Sequence, residues 1–226
     1  MIILNNKSNL VKEEFIKYKN SLDEINCNEE IVLAPSSIYL GACNNKIPLC
    51  SQTVSSYEEG AHTGEVAATQ LKSIGVKYCL VGHSERRNEE NESSQELNSK
   101  IRNLLANNIK VVLCVGETLR QKEAGIKEEV ILKEIREATK NLKFKSEDLI
   151  VAYEPIWAIG SGKVPTIEEI EDIIKLIKND LNVKVLYGGS VNEKNINNFK
   201  SPLLDGYLLG GISLDLKKLS KLIKEM

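Results

Sequence analysis

The chain has 226 residues, enough for two small domains or one large barrel, and its 42% apolar and 27% charged residues suit a soluble globular protein with a substantial core. A net charge of -2 lacks the basic excess of a nucleic-acid binder, and no apolar run reaches the roughly eighteen residues that span a bilayer. Five cysteines (Cys27, Cys43, Cys50, Cys79, Cys114) without a C-x-x-C pair or a signal-like start predict reduced, mostly buried thiols in a cytoplasmic protein. With only His62 and His83 beside these scattered thiols, no metal site is expected.

Short apolar runs alternate with longer amphipathic segments from end to end. Strand-like runs fall at residues 2–5, 31–34, 47–51, 77–81, 111–115, 150–153, 184–187 and 206–209. Most carry the β-branched enrichment of strands covered on both faces. Between the fourth and fifth, Leu97, Ile101, Leu104 and Leu105 share one helical face. After the sixth, Thr166-Ile-Glu-Glu169 follows Pro165 as a capping box. It opens a stripe of Ile167, Ile170, Ile174, Ile177 and Leu181, and Leu216, Leu219, Leu222 and Ile223 form the last. Eight strands alternating with helices and no linker predict one (β/α)8 barrel domain over residues 1–226. The runner-up is an open doubly wound sheet. Its dinucleotide form would want glycines after strand one, where Asn5-Asn-Lys-Ser-Asn9 stands.

In a barrel, the C-terminal strand ends converge on one mouth, where such folds place their chemistry. Strand one ends at Asn5 and Lys7, strand four at Gly82-His83-Ser-Glu85, and strand six at Glu154. Strand seven ends at Tyr187-Gly-Gly-Ser190 and strand eight at Leu209-Gly210-Gly211. Singly, Lys7 reads as a surface lysine, His83 as a core histidine and each Gly-Gly as a turn. All of them fall at the same end of one layout, and that joint placement favours a site. Glycine-rich turns after strands seven and eight let backbone N–H groups approach a phosphate. A carboxylate, an imidazole and an ammonium beside them suit proton abstraction next to a carbonyl in a small phosphorylated sugar.

Seven segments, Asn5-x-Lys7-x-Asn9, Gly60-Ala-His-Thr-Gly-Glu65, Val81-Gly-His-Ser-Glu-Arg-Arg87, Leu113-Cys-Val-Gly-Glu-Thr118, residues 152–163, Tyr187-Gly-Gly-Ser-Val191 and Asp205-Gly-Tyr-Leu-Leu-Gly-Gly211, occur in one order. In these the chain resembles the triosephosphate isomerase family over essentially its whole length. The resemblance implies a cofactor-free isomerase of glycolysis and gluconeogenesis acting on a small phosphorylated triose. It makes Glu154 the base and His83 a neutral electrophile. Lys7 and Asn5 then stabilise the enediolate, and Glu85 is a second carboxylate near Lys7. It implies a lid over residues 157–163, with Trp157, Ile159, Leu208 and Tyr187 as its clamp. The Gly160 amide would join Ser190, Gly210 and Gly211 on the phosphate. It also implies a homodimer in which Thr63 reaches the partner's site and Arg86 supports the contact.

The chain departs from the family pattern in three places. Asn6 and Ser8 stand where an aromatic and a methionine normally flank the lysine, which predicts a looser Lys7. His62 replaces a phenylalanine in the loop expected at the dimer interface. The chain is also shorter than the roughly 250 residues usual for the fold, with the trimming expected at the start and between Leu181 and Val185. Other phosphate-binding barrels, such as sugar-phosphate epimerases, and a catalytically silent homologue kept for interactions are the alternatives. The lid sequence and Gly82-His-Ser-Glu85 argue against the first, and the intact set of Asn5, Lys7, His83, Glu85 and Glu154 against the second.

Overall fold

Alternate residues of a strand face opposite ways, and in this chain both sets are apolar, so each strand must be covered on both sides. The computed structural model, which describes residues 1–43, 46–159 and 163–226, meets that demand with a parallel barrel. Its strands are β1 (Ile2–Asn5), β2 (Ile31–Ala34), β3 (Cys50–Ser51), β4 (Tyr78–Val81), β5 (Lys110–Val115), β6 (Leu149–Tyr153), β7 (Lys184–Tyr187) and β8 (Gly206–Leu209). They pair in the order β2-β1-β8-β7-β6-β5-β4-β3, and a parallel bridge between Leu33 and Leu49 joins the two ends of the sheet. β3 is shorter than the 47–51 run expected. Pro48 has no N–H to give a ladder, although its carbonyl still accepts from Leu33 N at 2.9 Å.

The inward set packs on itself. Ile3, Val32, Cys50, Leu80, Val112, Ile150, Leu186 and Leu208, one from each strand, form a buried cluster together with Cys114 and Ala152. The outward set packs under the helices α1 (Lys12–Leu22), α2 (Ser37–Leu40), α3 (Ala68–Ser73), α4 (Ser84–Glu89), α5 (Ser94–Ala106), α6 (Leu119–Glu123), α7 (Lys127–Ala138), α8 (Ile167–Asp180) and α9 (Leu216–Glu225). Leu97, Ile101 and Leu104 of α5, and Ile170, Ile174 and Ile177 of α8, are fully or almost fully buried, as their spacing requires. The capping box starts α8: Glu169 N donates to Thr166 Oγ1 at 3.2 Å, and Thr166 N to the Glu169 carboxylate at 3.1 Å. Three residues, 181–183, join α8 to β7. The β7–β8 crossover carries only a 3-10 turn, Ile196–Phe199.

Candidate active site

Glu154 stands on the inward side of the chain, two residues beyond Ala152, and is 3% exposed. Two close backbone approaches shape its slot. A Cβ at Gly116 would lie 1.8 Å from the Glu154 carbonyl oxygen, and one at Gly188 would lie 2.7 Å from Glu154 Cγ, so neither position takes a side chain. Burial raises the pKa of Glu154 above the usual carboxylate range; His83, Lys7 and the Cys114 thiol partly oppose the rise. Among the described residues Glu154 Oε2 has no hydrogen-bond partner.

His83 caps α4. Its Nδ1 accepts from Glu85 N at 3.3 Å, which leaves the ring proton on Nε2, the tautomer assigned from that bond. Nε2 lies 3.4 Å from Glu154 Oε1. Lys7, at φ 53°, bonds through its ammonium to Glu85, and its backbone N donates to Asn5 Oδ1 at 3.1 Å. Gln52 Nε2 donates to the carbonyls of Lys7 and Ala34, both at 2.9 Å, and pins the turn to β2. Asn6 is 1% exposed and donates to Tyr18 OH at 3.3 Å and Ser213 Oγ at 3.2 Å. Hydrogen bonds therefore hold position 6, where the missing aromatic led to an expectation of a looser turn.

Asn5, Lys7, His83, Ser190, Gly210 and Gly211 line a cavity of 390 Å³, with Ile159 and Leu208 on its wall. The base of the expected lid is a 3-10 turn, Ile156–Ala158. Trp157 Nε1 donates to Glu117 at 2.8 Å, and the Lys122 ammonium sits 3.9 Å from its ring centroid. The Ser190 hydroxyl, expected on the phosphate, here donates to the Ala158 carbonyl at 2.6 Å. Tyr187 is buried between Tyr153 and Phe199, and a Cβ on Gly189 would lie 2.1 Å from its hydroxyl. Gly160 lies outside the described residues.

A second cavity, of 620 Å³, opens beside Lys7 and Glu85 and is lined by Gln52, Glu65 and Arg86 among others. Arg86 and Lys100 both bond to Glu92 beneath it. Thr63 does not line either of these two cavities; it lies on the exposed loop of residues 57–65, where Tyr57 and His62 stack with ring centroids 3.9 Å apart. Glu117, a residue with no expected role, is fully buried and also accepts from Tyr153 OH at 3.1 Å. A glutamate after a strand gives no sign of burial, and these two donors come from another strand and the 3-10 turn after it.

The description that matches this chain among protein-family models is "Triosephosphate isomerase", over residues 1–226. A triosephosphate isomerase of Mycoplasmopsis agalactiae is 44% identical over 207 residues, covering 87% of this chain and 79% of its own length. One from Mesomycoplasma hyopneumoniae (strain 232) is 39% identical over 215 residues, covering 92% and 88%. That of Malacoplasma penetrans is 36% identical over 228 residues, covering 94% and 90%. With a buried carboxylate, a helix-capping histidine and a lysine at the mouth of a parallel barrel, and a family match across its whole length, this chain belongs to the triosephosphate isomerase family.

Proposed function

We propose that the chain interconverts dihydroxyacetone phosphate and D-glyceraldehyde 3-phosphate through an enediolate, without a cofactor. The observation that carries this reading is Glu154, a buried carboxylate 3.4 Å from His83 Nε2 at the mouth of the barrel. Burial leaves its ionised form poorly solvated, which makes it a stronger base. Glu154 takes a proton from the carbon beside the carbonyl, and the C–H electron pair becomes the carbon–carbon double bond. The carbonyl electrons move onto oxygen, which receives the Nε2 proton of His83. His83 then regains a proton from the hydroxyl on the neighbouring carbon, and Glu154 returns its proton to the other carbon. Every atom and electron is recovered. The Lys7 ammonium and Asn5 stabilise the developing negative charge, and Glu85 holds the ammonium in place.

The phosphate end binds backbone amides at Gly210 and Gly211, with Ser190 and, on lid closure, Gly160. Ser190 then exchanges its bond with Ala158 for the phosphate. We further propose a cytoplasmic homodimer of single-domain subunits, each inserting loop 57–65 into the other's cavity beside Lys7, so that Thr63 completes the site. The exposed loop and the open cavity beside Lys7 support that assembly. A coupled assay of glyceraldehyde 3-phosphate isomerisation on wild type and Glu154→Gln tests the reaction. Turnover is expected to fall by on the order of 10²- to 10⁴-fold in the variant. Equal turnover in both would reject Glu154 as the base, and no turnover in folded wild-type dimer would reject the reaction.

A further inference from the structure

Position 6 lies between two site residues and holds an amide in a buried setting. Asn6 Nδ2 donates to Ser213 Oγ at 3.2 Å and to Tyr18 OH at 3.3 Å. The Ser213 hydroxyl donates onward to the Asn5 carbonyl at 3.3 Å, while Ser213 N donates to the Gly210 carbonyl at 2.8 Å. One fully buried serine thus joins the turn that carries Asn5 and Lys7 to the turn that carries Gly210 and Gly211. Lys7 itself sits at φ 53°, a conformation that a side-chain-bearing residue keeps only where its surroundings hold it. Asn6 Oδ1 has no hydrogen-bond partner among the described residues. A buried unpaired carbonyl costs stability that an apolar side chain would avoid, so what the amide contributes is its two donations.

We propose that Asn6 and Ser213 are positioning residues. The buried relay from Tyr18 through Asn6 and Ser213 to the Asn5 carbonyl sets the Lys7 turn at a fixed spacing from the Gly210–Gly211 turn. The ammonium and the phosphate grip then engage the two ends of one small substrate together. This inference rests on the isomerase reading above.

The test is steady-state kinetics on wild type, Asn6→Leu and Ser213→Ala, each also combined with Lys7→Ala. Melting curves and the Kd of 2-phosphoglycolate, whose carboxylate stands in for the enediolate, accompany it. Either single variant is expected to lose about tenfold in kcat/KM, shared between a raised KM and a lowered kcat. Affinity for 2-phosphoglycolate should fall in parallel, and neither substitution should add to the loss already caused by Lys7→Ala. A lower melting temperature with unchanged KM and Kd would overturn the relay, as would losses that add in full to that of Lys7→Ala. Should Asn6→Leu fail to fold, Ser213→Ala removes a single oxygen and carries the comparison. An inactive wild type that binds 2-phosphoglycolate would overturn the isomerase reading alone, because the variants' Kd values still judge the relay; no binding by wild type overturns both.

Discussion

Far below the ordinary carboxylate range Glu154 is protonated in the folded and the unfolded chain alike, and far above its raised folded value it is ionised in both. Between the two, the folded state holds the extra proton, so the stability this group leaves intact at low pH is lost as pH rises through the folded value. Glu154→Gln should therefore melt higher than wild type at about pH 7, with the gap closing towards about pH 4. Equal melting temperatures throughout would show that His83 and Lys7 fully offset the burial. Activity runs the other way, since the base works only when ionised, and kcat/KM should fall on the acid side with an apparent pKa above the ordinary carboxylate value. Gly116→Ala tests the shape of the slot. Its methyl would lie 1.8 Å from the Glu154 carbonyl, so the backbone must move, at a cost of about 1–3 kcal/mol or more. A melting curve and kcat together check this, and a variant matching wild type in both would contradict it. That a carboxylate, Glu154, follows directly on a strand was legible in its motif. That two glycines make its slot was not, because each is brought against Glu154 from the end of a different strand, Gly116 against its backbone and Gly188 against its side chain.

At the level of elements, the strands and the long helices follow from pattern. Short, β-branched apolar runs gave the eight strand positions, and stripes at helical spacing gave the buried faces of α5, α8 and α9. Thr166 and Glu169 cap α8 as their spacing implies, since a capping box is a local contact. The turn after β6 is different. Tyr153 from β6, Trp157 from the 3-10 turn that follows and Glu117 from the end of β5 meet only after the barrel has formed. Glu117→Ala removes the carboxylate that accepts from both the indole N–H and the phenol, and is expected to cost about 2–3 kcal/mol. Trp157 is the only tryptophan, so a red-shifted emission reports its release, and kcat should fall with it. An unchanged spectrum would mean that the Glu117 bond is not what holds the indole in place, and would leave contacts such as that of the Lys122 ammonium, 3.9 Å from the ring centroid, to do so.

For the whole molecule, the chain shows an exposed loop and an open cavity next to the same lysine. Thr63→Arg places a long cation at the loop tip. It should give monomers in sedimentation and at least about a hundredfold loss of kcat/KM, since a misplaced site loses orientation. A fully active monomer would remove the dimer from the mechanism. The sequence by itself determined the barrel and the placing of Asn5, Lys7, His83 and Glu154 at its mouth, because strand alternation and strand ends are local properties of the chain. Only the tertiary structure decided which groups press on them: the glycines beside Glu154, the glutamate beneath Tyr153 and Trp157, and the amide hydrogen bonds behind Lys7. Those contacts join residues far apart in the chain, and burial, which gives each its energetic weight, exists only once all eight strands have closed on one another.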